Sequence, residues 1–505
     1  MRQRRTIYFN DARHYYLFVY DPPMRMEDAW SPIDEVAGTS VDTFSYGVSR
    51  ADGLFYPSKV GLQWGSDRMP FQNAYEWRCW ENMQSLIARG LDPLQVLIDR
   101  AHEKGMDFFA SLRLSFHEKM DAAWRVDRGG RGWVHEEVRA HQFAVLEELA
   151  TCYETEGVEL DYPGSGACFR AADAEPYTAV MTEWIGEVSR MVRNRAGGPG
   201  QLGARVYPTE AINKAMGLDV RTWIKEGIVD VVIGQTFSGP ELQDQMIDFR
   251  PLIKAAKSSK CRIHAAIQSH VDSDRLNEAN IQMVRAAACN YWEQGVDGLY
   301  LAHWFSNWPY EASFYEKLRE MPYPEIMAPR DKHYYVPTPT GRYTELEPML
   351  EPGVPVQLPV ELALKKPAPI HLKISDDLPR WDKVGRVHEV LLRLRLVETT
   401  ERDQLRFRLN GKELPDALLR KINQLYTMEA PRYRVSGYWF VFRLDKAHWP
   451  RQGENTVEVT LLRRDREAAP PVHIRDVELE TKYLMGKNFH RGQDVDLGGY
   501  EHANQ

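Results

Sequence analysis

The sequence predicts an α/β fold, a (β/α)8 barrel followed by a C-terminal β-sandwich, on three observations. Within the first 325 residues, charged helix-like ends close on glycine and give way to short apolar runs: HEKG before MDFFASL, ETEG before VELDY, IKEG before IVDVVIG and WEQG before VDGLYLA. Glycine there supplies a left-handed helix cap, and an uninterrupted apolar run is a strand buried on both faces, as in parallel sheets. Toward the C-terminus the texture changes to alternating, β-rich runs separated by turn residues. Finally, 505 residues exceed what one core holds, and a barrel with an accessory domain accounts for them.

Taken in order, strands are predicted at TIYFN (6–10), VDTFSY (41–46), MDFFASL (106–112), VELDY (158–162), LGARVY (202–207), IVDVVIG (228–234), RIHAAI (262–267) and VDGLYLA (296–302). Between them run helical patterns such as DPLQVLIDRAHEKG, where Asp92 caps and Pro93 opens the first turn, EEVRAHQFAVLEELATCYE, PYTAVMTEWIGEVSRMVRN and NEANIQMVRAAACNYWEQ. Eight strand–helix units fit a barrel over residues 1–325 better than a doubly wound sheet, and no GxGxxG or GxxxxGK[ST] loop supports a nucleotide fold. Residues 326–350 are Pro-rich and aperiodic, as a linker or wrapping segment is. Residues 351–485 carry about seven strand-like runs with turns such as Asn410-Gly411, which reads as a sandwich, and 486–505 form a polar tail.

Composition narrows the function. Lys and Arg total 64 against 72 for Asp and Glu, a net charge of −8, and without a basic run nucleic acid is not an expected partner. No stretch approaches a membrane span, and MRQRR leads straight into a strand rather than a signal-peptide core, so a soluble, cytoplasmic protein is expected. The 5 cysteines, Cys79, Cys152, Cys168, Cys261 and Cys289, have neither CxxC nor metal-ligand spacing and read as reduced thiols. No metal or cofactor is expected, and GxSxG and HExxH motifs are missing. The 14 Trp and 24 Tyr hint at sugar stacking, although most could equally be core.

A barrel enzyme works at the C-terminal ends of its strands. The residues there are Asn10 and Asp11, Tyr46, Arg113 and His117, Asp161 and Tyr162, Arg205 and Tyr207 with Glu210 beyond, Gln235, Gln268 and His270, and His303 and Trp304. Acids, amides, arginines and rings on all sides suit a hydroxyl-rich ligand. Asp161 ends a buried strand before Pro-Gly and is the most conspicuous carboxylate; Glu159 shares its side of the strand, and either could instead close an internal ion pair. Asp11, beside Asn10, Arg13 and His14, either acts in the mouth or caps its loop. The long loop after the third strand carries His117, Trp124, Trp133 and His135 with Arg125, Arg128 and Arg131, and its length suggests function. His135 either caps the following helix or donates a proton. Arg113 and Arg205 either pair with pocket acids or hold a substrate carboxylate.

IYFNDARHYY, FFASLRLSFHEK, GVELDYPGSG, ARVYPTEAINKAMGLDVRTWIKEGIVDVVIG and GLYLAHWFSNWP together resemble the family-10-like glycosidase barrels. Within these the length and barrel-plus-sandwich layout are similar to glycoside hydrolase family 156, inverting exo-sialidases. The resemblance covers about residues 1–325. It implies hydrolysis of terminal α-linked sialic acids on sialylated oligosaccharides or glycoconjugates, with Asp11 as base, His135 as acid (His117 the alternative) and Arg205, with Arg113, on the substrate carboxylate. Trp124, Trp133 and Trp304 would wall the leaving group. The rivals are a glycosidase for neutral sugars using Asp161 with Asp11 or Glu210, for which both arginines would be bridged internally, and a non-catalytic glycan-binding barrel. The sandwich reads as structural, with a homodimer as a possible assembly.

Overall fold

In the computed structural model the described residues are 5–11, 16–50, 53–114, 132–163, 168–236, 243–271, 278–302, 304, 310–338, 356–425, 437–487 and 489. They fall into two compact units, one holding the described residues of 5–270 and 291–322, the other those of 271–290, 323–338 and 356–489.

The first unit contains a closed barrel of parallel strands: β1 Arg5–Asp11, β2 Thr43–Gly47, β3 Asp107–Arg113, β4 Gly157–Asp161, β5 Gln201–Val206, β6 Val231–Gly234, β7 Arg262–Gln268 and β8 Gly298–Ala302. Each strand pairs with its neighbours in sequence, and β8 closes on β1. Nearly every barrel residue is buried, which is why the strands read as continuous apolar runs. Helices follow as the sequence predicts; Asp92 accepts from the Leu94 and Gln95 amides ahead of Pro93–Glu103. The helix Ala171–Asn194 begins earlier than expected and carries Pro176 within its second turn. Three of the four punctuating glycines, Gly105, Gly227 and Gly295, are left-handed. Gly157 differs: it opens β4, where a Cβ would lie 2.6 Å from the Gln201 carbonyl and 2.9 Å from the Phe109 ring. Close approach of neighbours, not a turn, selects glycine there.

Strand alternation divides the barrel residues by parity. Arg5, Phe9, Ser45, Phe109, Ser111, Glu159, Arg205 and Tyr300 meet one another across the interior, whereas Tyr8, Phe44, Tyr46 and Phe108 pack as rings on the helix side. At the floor Arg5 spans to Asp107 (2.7 Å) and Gln201 (2.8 Å). His264 lies in the same interior, with room for its ring because residue 298 is glycine; a Cβ there would sit 2.4 Å from Nε2. Burial, helped by the Arg5 charge, pushes the His264 pKa down to about 3. A histidine held neutral stabilises the fold above its unfolded pKa near 6.5, and that contribution is lost as pH falls through the folded value, a span worth on the order of 4 to 5 kcal/mol. Chemical denaturation of wild type and His264→Gln between pH 7 and 3 is therefore expected to show a shallower acid loss in the variant; parallel curves would refute it.

The second unit is built on antiparallel sheets. One contains β9 Lys332–Tyr335, β11 Val387–Val397, β13 Leu419–Asn423, β14 Tyr438–Arg443 and β16 His473–Tyr483 in the order β9-β16-β11-β14-β13; the other contains β10 Pro367–Ile374, β12 Gln404–Leu409 and β15 Gly453–Arg463 in the order β10-β15-β12. The sheets face each other through Phe407, whose ring centroid lies 5.0 Å from that of Phe440 and 5.2 Å from that of Phe442. Asn410 and Gly411 both take positive φ in the predicted hairpin turn. β9 falls within the stretch read as linker; its KHYY alternation is short and flanked by prolines, which hid it. Four cysteines are buried and Cys152 is exposed, all of them free thiols. Among the described residues no helix is long and apolar enough to cross a membrane.

Candidate active site

Around the C-terminal rim, the inward parity places one residue on each strand end: Asp11, Gly47, Arg113, Asp161, Arg205, Gln235 just past β6, Gln268 and Ala302. Two of these, Gly47 and Ala302, are small, and the others are polar or charged.

The charged members are linked. Arg113 reaches Asp11 Oδ2 through Nη2 (3.2 Å) and Asp161 Oδ2 through Nε (3.6 Å). Arg205 pairs with the same Asp161 oxygen (2.6 Å), bonds Glu159 Oε1 through Nε (3.0 Å), and donates to Gln235 Oε1 through Nη1 (3.3 Å). Its guanidinium lies against the rings of Phe9 (4.3 Å) and Tyr300 (5.1 Å). Glu159, fully buried one layer below, also accepts from Ser45 Oγ (2.8 Å), Ser111 Oγ (2.9 Å) and Tyr300 OH (3.0 Å). Such a carboxylate is a structural anchor: both oxygens accept hydrogen bonds, and its charge is balanced by a guanidinium that cannot deprotonate.

Asp161 differs from Glu159. Its burial raises the carboxyl pKa against the opposing pull of Arg205 and Arg113, and Glu159 adds to the rise. Its Oδ1 is buried without a hydrogen-bond partner among the described residues. Asp161 therefore combines the two properties of a proton donor, an elevated proton affinity and an uncommitted oxygen. Asp11 is equally buried but faces Arg113. One guanidinium touches both, through Nη2 at Asp11 and through Nε at Asp161.

The other expected site residues are placed as follows. Tyr46 has the outward parity and packs on Phe44 and Phe108. Asn10 shares that parity, alongside Tyr8, and its buried amide has no partner among the described residues. Position along the strand alone suggests the mouth for both, but alternation gives them the other side. Trp133 is fully buried and packs edge-on against Trp184 of the helix Ala171–Asn194 (4.7 Å). Trp304 is fully buried as well, donating Nε1 to the Ile267 carbonyl (2.8 Å) and packing on Phe314. Neither indole is a solvent-facing wall for a leaving group. Glu210 is partly exposed on a short outer helix, paired with Lys214 (2.9 Å), whose hydrogen bond lowers its pKa. Tyr207 is buried, its backbone amide bonded to Asn213 Oδ1 and its carbonyl to Nδ2. His270 lies past β7, with Nδ1 2.8 Å from Ser269 Oγ. His135 stands at the N-cap of Glu136–Thr151, its side chain making no capping bond. His14, His117, Trp124 and Arg131, with Arg13, Arg125, Arg128 and His303, lie outside the described residues.

Sequence reasoning missed the donors to Glu159. Ser45, Ser111 and Tyr300 share its parity but sit on three other strands, so only a correct register would have found them.

No family model matches the chain, and no curated protein matches it. Solved structures with a similar course of chain include the glycoside hydrolase domain of PgaB (BpsB) from Bordetella bronchiseptica, at 12% identity and TM-score 0.40 over 63% of this chain and 99% of that one. An α-L-fucosidase from Vibrio sp. strain EJY3 matches at 12% identity and TM-score 0.40, over 95% and 96% of the two chains. A cycloisomaltooligosaccharide glucanotransferase from Paenibacillus sp. matches at 10% identity and TM-score 0.37 over 94% of this chain, which spans 57% of that protein's length.

Proposed function

We propose that the protein is a glycoside hydrolase acting at the C-terminal mouth of its barrel, with Asp161 as general acid and Asp11 as the ionised partner. The observation that carries the reading is the pair of buried carboxylates on β1 and β4, joined by Arg113, of which Asp161 has a raised proton affinity and an Oδ1 without a hydrogen-bond partner among the described residues. Two carboxyl groups of opposite protonation flanking one cavity are what glycosidic cleavage requires: one protonates the departing oxygen, the other activates water or attacks the anomeric carbon. At Asp161 burial outweighs the opposing pull of Arg205 and Arg113 and favours the protonated form.

The cluster favours a neutral sugar. Asp11, Asp161 and Glu159 face two guanidiniums, and both arginines are already engaged by carboxylates. The finer reading implied by the resemblance is an inverting exo-sialidase with Asp11 as base and His135 as acid. It needs a guanidinium that gives up a carboxylate for the substrate's own; Arg113, with its side chain 21% exposed, is better placed for this than Arg205 at 1%.

A fluorogenic sialoside and a panel of neutral aryl glycosides, with the first-formed anomer followed by proton NMR, separate these readings. Cleavage of a neutral glycoside is the expected result. Cleavage of the α-sialoside alone, releasing the β-anomer, would favour the sialidase, and Arg113→Lys should then raise KM about tenfold or more, since the bidentate grip is lost. A chain that binds sugars but cleaves none would be a glycan-binding barrel.

A further inference from the structure

The contacts of the rim run in one chain, Asp11 to Arg113 to Asp161 to Arg205 to Gln235, and stop there. The next strand end carries Gln268. Its register partner is Ala302, and β7 and β8 share inward parity through Ala266 beside Tyr300, whose hydroxyl reaches Glu159 inside the barrel. Gln268 thus has the inward parity at the mouth end of β7, beside the small residue Ala302. It is 3% exposed, and neither Oε1 nor Nε2 has a hydrogen-bond partner among the described residues. Its backbone carbonyl, by contrast, accepts from Gln243 Nε2 (3.3 Å).

A buried carboxamide with both ends unused is costly to the fold, and such groups are explained when a ligand completes them. A primary amide offers a donor and an acceptor side by side, the complement of two neighbouring hydroxyls. Resting on the glycosidase reading, we propose that Gln268 is a substrate-binding residue that recognises a vicinal hydroxyl pair of the sugar seated between Asp161 and Ala302. Nε2 donates to one hydroxyl and Oε1 accepts from the other. The reacting carbon then lies toward the carboxylates, and the diol at the far side of the ring. A sugar with one of these hydroxyls removed leaves half of the amide buried and unbonded, so the site discriminates strongly against it.

The test compares wild type, Gln268→Leu and the isosteric Gln268→Glu. Three readouts are used: thermal melting without ligand, kcat and KM for the aryl glycoside that wild type cleaves fastest, and the same constants for its monodeoxy analogues. A group retained for a ligand predicts that Gln268→Leu melts at or above the wild-type temperature while KM rises tenfold or more. One monodeoxy analogue should show a comparable loss with wild type and no additional loss with Gln268→Leu. A lower melting temperature for both variants with KM unchanged, or deoxy analogues all cleaved as well as the parent, overturns the assignment. If wild type cleaves none of the panel, the glycosidase reading fails separately. Gln268 is then decided by the melting shift that methyl glycosides produce: a shift in wild type missing in Gln268→Leu sustains it, and equal shifts, or none in either protein, reject it.

Discussion

Asp161→Asn is expected to lower kcat on an aryl glycoside by about 10²- to 10⁴-fold, the usual worth of a positioned general acid, while leaving the fold intact. The amide keeps the shape that Arg205 and Arg113 pack against but can deliver no proton. Two signatures separate this role from a merely structural one. The loss should shrink markedly for a dinitrophenyl glycoside, whose leaving group needs little protonation. The wild-type kcat/KM profile should also fall on its alkaline side at a pH above the ordinary aspartate range, because burial raises the Asp161 pKa, and the variant should lack that limb. Stability follows the same sign: a raised folded pKa gives a contribution present below the unfolded value near 3.8 and lost as pH rises through the folded one, so at neutral pH Asn should cost little. An undiminished alkaline limb in Asp161→Asn would assign the acid to another group, with His135 the first to examine.

The barrel was legible because its signals are local. Glycine after a charged helix end, then an apolar run, recurs at four of the eight units, and chain order equals spatial order in this fold. The candidate site was legible only in part. Asp11, Arg113, Asp161 and Arg205 stand out as charges at the ends of apolar strands, and each has the inward parity. Asn10 and Tyr46 stand at strand ends too, but one residue of phase sends a side chain to the helix layer. The indoles of Trp133 and Trp304 could not be placed from their loops, because Trp133 packs on Trp184 and Trp304 bonds the Ile267 carbonyl, both distant in sequence. The arginines posed the sharpest choice, between substrate and internal acids. Register brings the charges together: Arg113 pairs across to Asp161, and Asp161 to Arg205, so they alternate along one row of the sheet.

That row also makes Arg205 the position where substitution should damage stability most. Arg205→Met removes the counter-charge of Glu159, a carboxylate with no exposure, and withdraws a cation from Asp161 as well. Breaking a buried pair by removing one partner costs about 3 to 5 kcal/mol, because the charge left behind must stay desolvated or bind a proton. The expected result is a loss of that size by denaturant unfolding at neutral pH, with the deficit shrinking as pH falls and the stranded carboxylates take up protons. Glu159→Gln combined with Arg205→Met should be less destabilised than the sum of the single variants, since the amide keeps hydrogen bonds from Ser45, Ser111 and Tyr300 without leaving an isolated charge at residue 159. A deficit below about 1 kcal/mol for Arg205→Met, or strict additivity in the cycle, would mean that the interior reorganises around these charges.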